Sequence, residues 1–180
     1  MNFCSECAAP VTLTIPDGDN RERFVCTSCG AIHYQNPRIV AGCVPEHEGR
    51  ILLCKRAIEP RLGYWTCPAG FMENGETVAE AAARETLEEA EAQVEVGPLI
   101  AVVDVLRARQ VHVFFRGALK TPEFGAGQES LAADLFRVED IPWDDIAFPS
   151  VRIGLEQYLR NRESGKDDLL VCTAPGRKEG

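Results

Sequence analysis

Apolar residues along the middle of the chain first fall in runs. Ile39-Val40-Ala41-Gly42-Cys43-Val44 is continuous, and Ile51-Leu52-Leu53-Cys54 answers it across the polar Glu46–Gly49, which predicts a buried β-hairpin. Residues 57–69 contain Pro60, Gly63 and Pro68 and are expected to form a loop, continued by the glycine-bounded Gly70–Gly75. The period then changes. Thr77-x-x-Glu80 has the form of a capping box, and Ala, Leu, Glu and Arg dominate to about Gln93, so a helix is predicted over 77–93. Leu99–Leu106, Val111–Leu119 and Leu131–Val138 read as further strands. Val151–Arg162 reads as a second amphipathic helix, with Val151, Leu155, Tyr158 and Leu159 on one side. From Ser164 to Gly180 the chain is expected to be a charged, mobile tail apart from Leu169–Val171. Strands then helix, repeated, imply an α/β fold: a mixed sheet with helices packed on it.

The first 36 residues follow a different plan. Val11, Leu13 and Ile15 alternate with threonines, Phe24 and Val25 form a second short apolar stretch, and Pro16–Asn20 between them is turn-like. Four of the eight cysteines fall here, as Cys4-x2-Cys7 and Cys26-x2-Cys29, a layout that closes a tetrahedral zinc shell from two knuckles. Two disulfides or two redox C-x-x-C motifs are the alternatives; a redox motif would occur once, beside a βαβ pattern, which favours structural Zn2+. Some thirty residues bury too little apolar surface to fold alone, and the metal would supply the missing stability. Cys43 and Cys54 lie in apolar runs and are expected in the core.

Composition narrows the function. Hydrophobic residues make up 45% of the 180, enough for a genuine core, and the formal net charge is −9, which disfavours a nucleic-acid partner. Residues 76–95 alone hold seven Glu and one Arg. No basic-then-apolar leader opens the chain and no stretch approaches a membrane span, so a soluble cytoplasmic protein with no membrane partner is expected.

At about 100° per residue, with Glu85 at zero, Glu89 lies near +40° and Glu88 near −60°, so three carboxylates share one helix face. Ala79, Ala83, Leu87, Ala90 and Val94 fall on the other side and are expected to pack on the sheet, holding the glutamates outward. Three like charges so close call for a cation, and an all-oxygen set suits Mg2+ or Mn2+. The bland reading is an ordinary solvated face.

Read continuously, Gly70-x5-Glu76-x7-Arg84-Glu85-Thr86-x-Glu88-Glu89-x-Glu91-Ala92 resembles the Nudix box, G-x5-E-x7-R-E-U-x-E-E-x-G-U with U apolar. It departs at Thr86 and at Glu91, where the family has Gly; that position holds no ligand, so Glu91 bears on the local turn. The resemblance implies a Nudix-type α/β/α sandwich over 37–163, preceded by a zinc ribbon over 1–36 that is held by Cys4, Cys7, Cys26 and Cys29. It also implies site roles: Glu85 and Glu89 holding a catalytic Mg2+ with the carbonyl of Gly70, Glu88 serving a second metal or the outer shell, and Arg84 and Glu76 orienting the ligands. The implied reaction is hydrolysis of a diphosphate by metal-activated water.

Glu129, in a glycine-containing loop, is the candidate base, against the reading of a surface carboxylate. Lys55, Arg56 and Arg61 form a compact basic cluster for the diphosphate, with Tyr64 and Trp65 available for stacking on a base or, as is commoner for aromatics here, for packing; Arg107 and Arg109 are weaker candidates. The ribbon, the junction Ile32-His33-Tyr34-Gln35-Asn36-Pro37 and Trp65-Thr66-Cys67-Pro68-Ala69-Gly70 look like the Nudix hydrolases of ADP-ribose and FAD, implying AMP plus a phosphorylated product, a small-molecule nucleotide substrate and a homodimer. NADH pyrophosphatases share the layout, but their S-Q-P-W-P-F-P-x-S signature is absent. A non-catalytic Nudix-like sensor is the alternative from another class. For one that contacts phosphate, Arg21 and Arg23 face four acidic residues in the ribbon.

Overall fold

The computed structural model describes residues 1–176, which divide after Pro37 into two compact units. In the first, β1 (Val11–Thr14), β2 (Arg23–Cys26) and β3 (Ile32–His33) form an antiparallel sheet, with Val11 opposite Cys26. Two matching knuckles flank it. The amide of Cys4 donates to Ala9 O and that of Cys26 to Ala31 O, while Ala8 N and Gly30 N donate back to the carbonyls of Cys4 and Cys26. Both turns pass through a left-handed residue, Ala8 in one and Gly30 in the other. The local hydrogen bonds thus aim two cysteines from each knuckle at one point.

The second unit is a mixed eight-stranded sheet between two helices. Its strands are β4 (Arg38–His47), β5 (Arg50–Arg56), β6 (Trp65–Thr66), β7 (Ala69–Phe71), β8 (Val94–Val105), β9 (Gln110–Leu119), β10 (Ser130–Phe136) and β11 (Leu170–Thr173); the helices are α1 (Val78–Ala90) and α2 (Pro149–Ser164). The main order is β10-β5-β4-β9-β8-β11, with β4 parallel to β9 and β11 parallel to β8. Period-two alternation assigns the faces. Ala41 and Cys43 of β4 pack with Ala81 and Ala82 of α1, whereas Val44 packs with Val151, Leu155 and Tyr158 of α2. Likewise Leu52 and Cys54 meet Ala90, while Ile51 and Leu53 join the α2 side. The expected α/β/α sandwich is present.

The β4–β5 hairpin pairs only at Glu46↔Ile51 and His47↔Arg50 and then parts. Into the gap come β7, paired with β4 at Val40–Gly42, and β6, paired with β5 at Cys54 and Lys55. The stretch expected to be loop therefore contains two short strands that carry Gly70 into the sheet.

Three expectations need correction. Helix α1 turns its carboxylate side inward rather than outward: Glu85, Thr86 and Glu89 are buried together with Ala81 and Ala82, Ala90 is buried and Ala83 packs on the core as expected, and Leu87 is 51% exposed. The small side chains of Ala81 and Ala82 bring the helix close to the sheet, and the glutamates lie on that same stripe, where hydrogen bonds compensate their burial. The helix also stops at Ala90 rather than Gln93, because Glu91 takes the left-handed conformation, φ 47°. The end of the chain from Ser164 is less tail-like than expected. Gln157 and Asn161 donate from α2 to Asp168 O, and Leu170–Thr173 then pairs in register with β8 from Ala101 to Asp104. Residues 177–180 of the expected tail lie outside the described residues.

Candidate functional site

In the ribbon, one ligand atom from each of Cys4, Cys7, Cys26 and Cys29 lies within 4.8 Å of all the others. Sulfur separations are 3.4 Å for Cys7–Cys26, 3.5 Å for Cys7–Cys29 and 3.8 Å for Cys4–Cys29. A tetrahedron of Zn–S bonds of about 2.3 Å requires edges of about 3.8 Å, so the donor set fits zinc. Amides of Cys29 and Ser28 point at the Cys26 sulfur and hold its thiol down at about 6. His33 Nε2 sits 3.3 Å from Cys4 Sγ, an outer contact that cysteine spacing does not signal.

In the second unit, four elements converge: the end of β5, β7, the face of α1 and the loop before β10. Glu85 and Glu89 are each only 8% exposed. Burial raises the Glu85 carboxyl and pushes that of Glu89 up to about 7, the latter against the amide of Ala69, which donates to Glu89 Oε2 at 3.0 Å. Gly70 comes next; a Cβ there would strike the Glu85 carboxylate, so only glycine admits this approach.

Arg84 organises the outer layer. Its guanidinium grips Glu76 by two bonds of 3.0 and 2.8 Å and reaches Glu85 at 2.6 Å, Glu88 at 3.0 Å and Phe71 O at 3.0 Å. Glu76 also accepts from Glu73 N, and with Arg84 beside it its carboxyl falls to about 2. Glu80, meanwhile, closes the capping box on Thr77.

Glu88 is drawn outward to Arg84 and its side chain is 58% exposed. The three carboxylates of α1 accordingly do not close into a compact cage; among the described residues the four cysteines do. A hard divalent cation nevertheless fits the Glu85–Glu89 pair: all donors are oxygen, both carboxyls are held in the core at a cost in their charged forms, and Gly70 leaves backbone, not side chain, beside them.

The loop before β10 caps the end of α1. Gly125 N donates to Ala90 O and Gly127 N to Glu89 O, satisfying carbonyls that the helix leaves open. A Cβ on Gly127 would meet the Glu88 carbonyl. This docking brings exposed Glu129 close enough for its charge to oppose ionisation of both Glu85 and Glu89.

The basic residues divide. Arg56, opposite Ser130 on β10, is close enough to favour the Glu89 carboxylate. Arg61 instead stacks on Tyr64 at 5.0 Å, and Lys55 lies 5.9 Å from the Trp65 ring, so neither is tied to the carboxylates. Trp65 itself packs edge-on against Phe136 at 4.8 Å. Arg107 and Arg109 lie in the exposed turn between β8 and β9.

Buried carboxylates on a helix, presented to a glycine of the sheet beside it and braced by one arginine, define an oxygen-ligand site of the kind used by metal-dependent hydrolases. The chain belongs to the Nudix hydrolase family: the sequence profile described as "NUDIX domain" matches residues 36–153 and that described as "Nudix N-terminal", a zinc ribbon, matches residues 2–35. It is thus an enzyme acting on phosphoric anhydrides. A NUDIX hydrolase from Nitrosomonas europaea has a solved structure similar to this one, with a TM-score of 0.93, 48% identity and coverage of 96% of this chain and 98% of that one. The ADP-ribose pyrophosphatase of Methanocaldococcus jannaschii is 30% identical over 131 residues, 71% of this chain and 76% of the relative. The NAD-capped RNA hydrolase NudC of Chromobacterium violaceum is 41% identical over 88 residues, which span 48% of this chain and 31% of that protein. Among the described residues, no helix is long and apolar enough to cross a membrane.

Proposed function

We propose that the protein hydrolyses the diphosphate of a nucleoside diphosphate derivative, ADP-ribose or FAD, giving AMP and a phosphorylated partner. The observation that carries this reading is the buried Glu85–Glu89 pair beside Gly70, with Arg56 facing it. The relative named ADP-ribose pyrophosphatase supports the substrate class. A second reading, cleavage of NADH or of an NAD-type cap, draws on the NudC relative.

Glu85, Glu89 and the Gly70 carbonyl would hold the catalytic divalent ion, Mg2+ or Mn2+, with Glu88 available to a second ion. When bound, such ions neutralise the diphosphate and acidify water. Arg84 and Glu76 fix the carboxylate rotamers, since Arg84 is tied to Glu76 and Glu85 at once. Arg56 binds the diphosphate oxygens, with Lys55, Arg61 and Tyr64 lining the more distant part of the substrate. The bond chemistry is balanced: a water oxygen adds to one phosphorus, the P–O–P bond breaks, the other phosphate leaves, and Glu129 takes the water proton. The four ribbon cysteines hold structural Zn2+. We further read the protein as a cytoplasmic homodimer for small nucleotides rather than nucleic acid; the net charge of −9 supports the last point, and sedimentation tests the dimer.

Incubation with ADP-ribose, FAD, NADH and NAD-capped RNA plus Mg2+ tests the reading. AMP release from ADP-ribose or FAD, abolished by Glu89→Gln, is expected. Cleavage of none, or activity untouched by the substitution, would sink it.

A further inference from the structure

We propose that Phe148 is a positioning residue that holds the Arg56 guanidinium in place for the diphosphate; the role rests on reading the carboxylate cluster as a diphosphate site. Arg56 ends β5 within electrostatic reach of Glu89, yet among the described residues it forms no ion pair within 4.0 Å. A freely swinging arginine here would collapse onto Glu89 and neutralise the carboxylate needed for a cation. Two contacts restrain it instead. Arg56 Nε donates to Pro60 O at 2.9 Å, and the guanidinium carbon lies 5.1 Å from the centroid of the Phe148 ring.

Phe148 occupies the N-cap of α2, where Ser, Thr, Asp or Asn would satisfy an open amide, and its side chain makes no capping bond. Helix initiation therefore gives no reason for phenylalanine at this position. Packing on the core beside α2 calls for an apolar side chain, and the contact to Arg56 gives the aromatic face its use. The ring is brought there by long-range stitching: Ala147 N donates to Trp65 O at 2.8 Å, Ile146 forms a parallel bridge with Trp65, and Trp65 pairs with Lys55, the neighbour of Arg56. One end of α2 is thus fastened to the strand that carries Arg56. An aromatic face also suits the task better than a carboxylate, because it attracts the guanidinium without consuming its hydrogen-bond donors.

The test is a double-mutant cycle read by calorimetric binding of the non-hydrolysable α,β-methylene-ADP with Mg2+, alongside KM and kcat on the best-cleaved compound of the substrate panel. Phe148→Leu is expected to weaken probe binding and raise KM by about three- to tenfold, with kcat within about twofold. Phe148→Tyr restores both. In an Arg56→Ala background, Phe148→Leu has no further effect. Pentafluorophenylalanine at position 148 keeps the shape, and so the fold, while removing the negative ring face; it should reproduce the loss caused by leucine. Unchanged binding with the fluorinated ring, or an equal loss from leucine with and without Arg56, overturns the proposal. Wild-type protein that binds the probe but cleaves nothing in the panel defeats the hydrolytic reading alone, and the cycle still decides the role of Phe148.

Discussion

In the ribbon, four sulfurs meet within 4.8 Å and form a compact four-ligand set from two short, nearly identical turns. In the larger unit, Glu85 and Glu89 stay buried while Glu88 turns to solvent, and the set is left incomplete. On the proposed roles, the difference follows what each set would do. A shell completed by the protein leaves no room for substrate and contributes to folding; an incomplete one keeps positions for water and phosphate. The assembly differs too. Each knuckle is local, whereas the carboxylate site needs α1, β5, β7 and the loop before β10 to arrive together.

Removing zinc should have the largest effect, since structural zinc contributes on the order of 10 kcal/mol to small modules of this kind. Freshly purified protein should carry about one zinc per chain, and a strong chelator should abolish amide-exchange protection across residues 2–35. Retained protection would show that the ribbon does not depend on its cysteine cluster. Next in size is Arg84→Lys. A single ammonium cannot span Glu76, Glu85, Glu88 and Phe71 O, so kcat/KM should fall by about 10–100-fold while thermal stability changes little. A loss that tracked stability would instead make Arg84 a folding residue. Smallest is Glu91→Gly, which places the family's residue at a left-handed helix end and should raise stability by about 0.5–1 kcal/mol in denaturant unfolding.

Much of both sites was legible because their chemistry is written at fixed spacing. The C-x2-C pairs, the Thr77–Glu80 capping box and the register of Glu76, Arg84, Glu85 and Glu89 are all local. The direction in which α1 faces was not. A helical wheel places the carboxylates on one side, and polarity suggests that this side meets water. The amide of Ala69 and the guanidinium of Arg84 reverse that by satisfying the buried oxygens, and Ala69 lies 20 residues away along the chain. Insertion of β6 and β7 into the opened hairpin, the pairing of β11 with β8, and the approach of Phe148 to Arg56 are likewise tertiary. The sequence shows Glu129 in a glycine-containing loop, but not that Gly125 and Gly127 cap α1.

If Glu85 and Glu89 form the divalent-ion site, titration of Mn2+ into the protein across pH 6–8, with Glu89→Gln alongside, will show it. Burial holds the Glu89 carboxyl near 7, so below that pH the ion must displace a proton. Wild-type affinity should therefore level off above about pH 7 and fall by up to about tenfold per unit below it, whereas Glu89→Gln should bind far more weakly and lose this slope. Equal affinity in the two proteins, or a wild-type affinity flat across the range, would mean that the ion binds elsewhere.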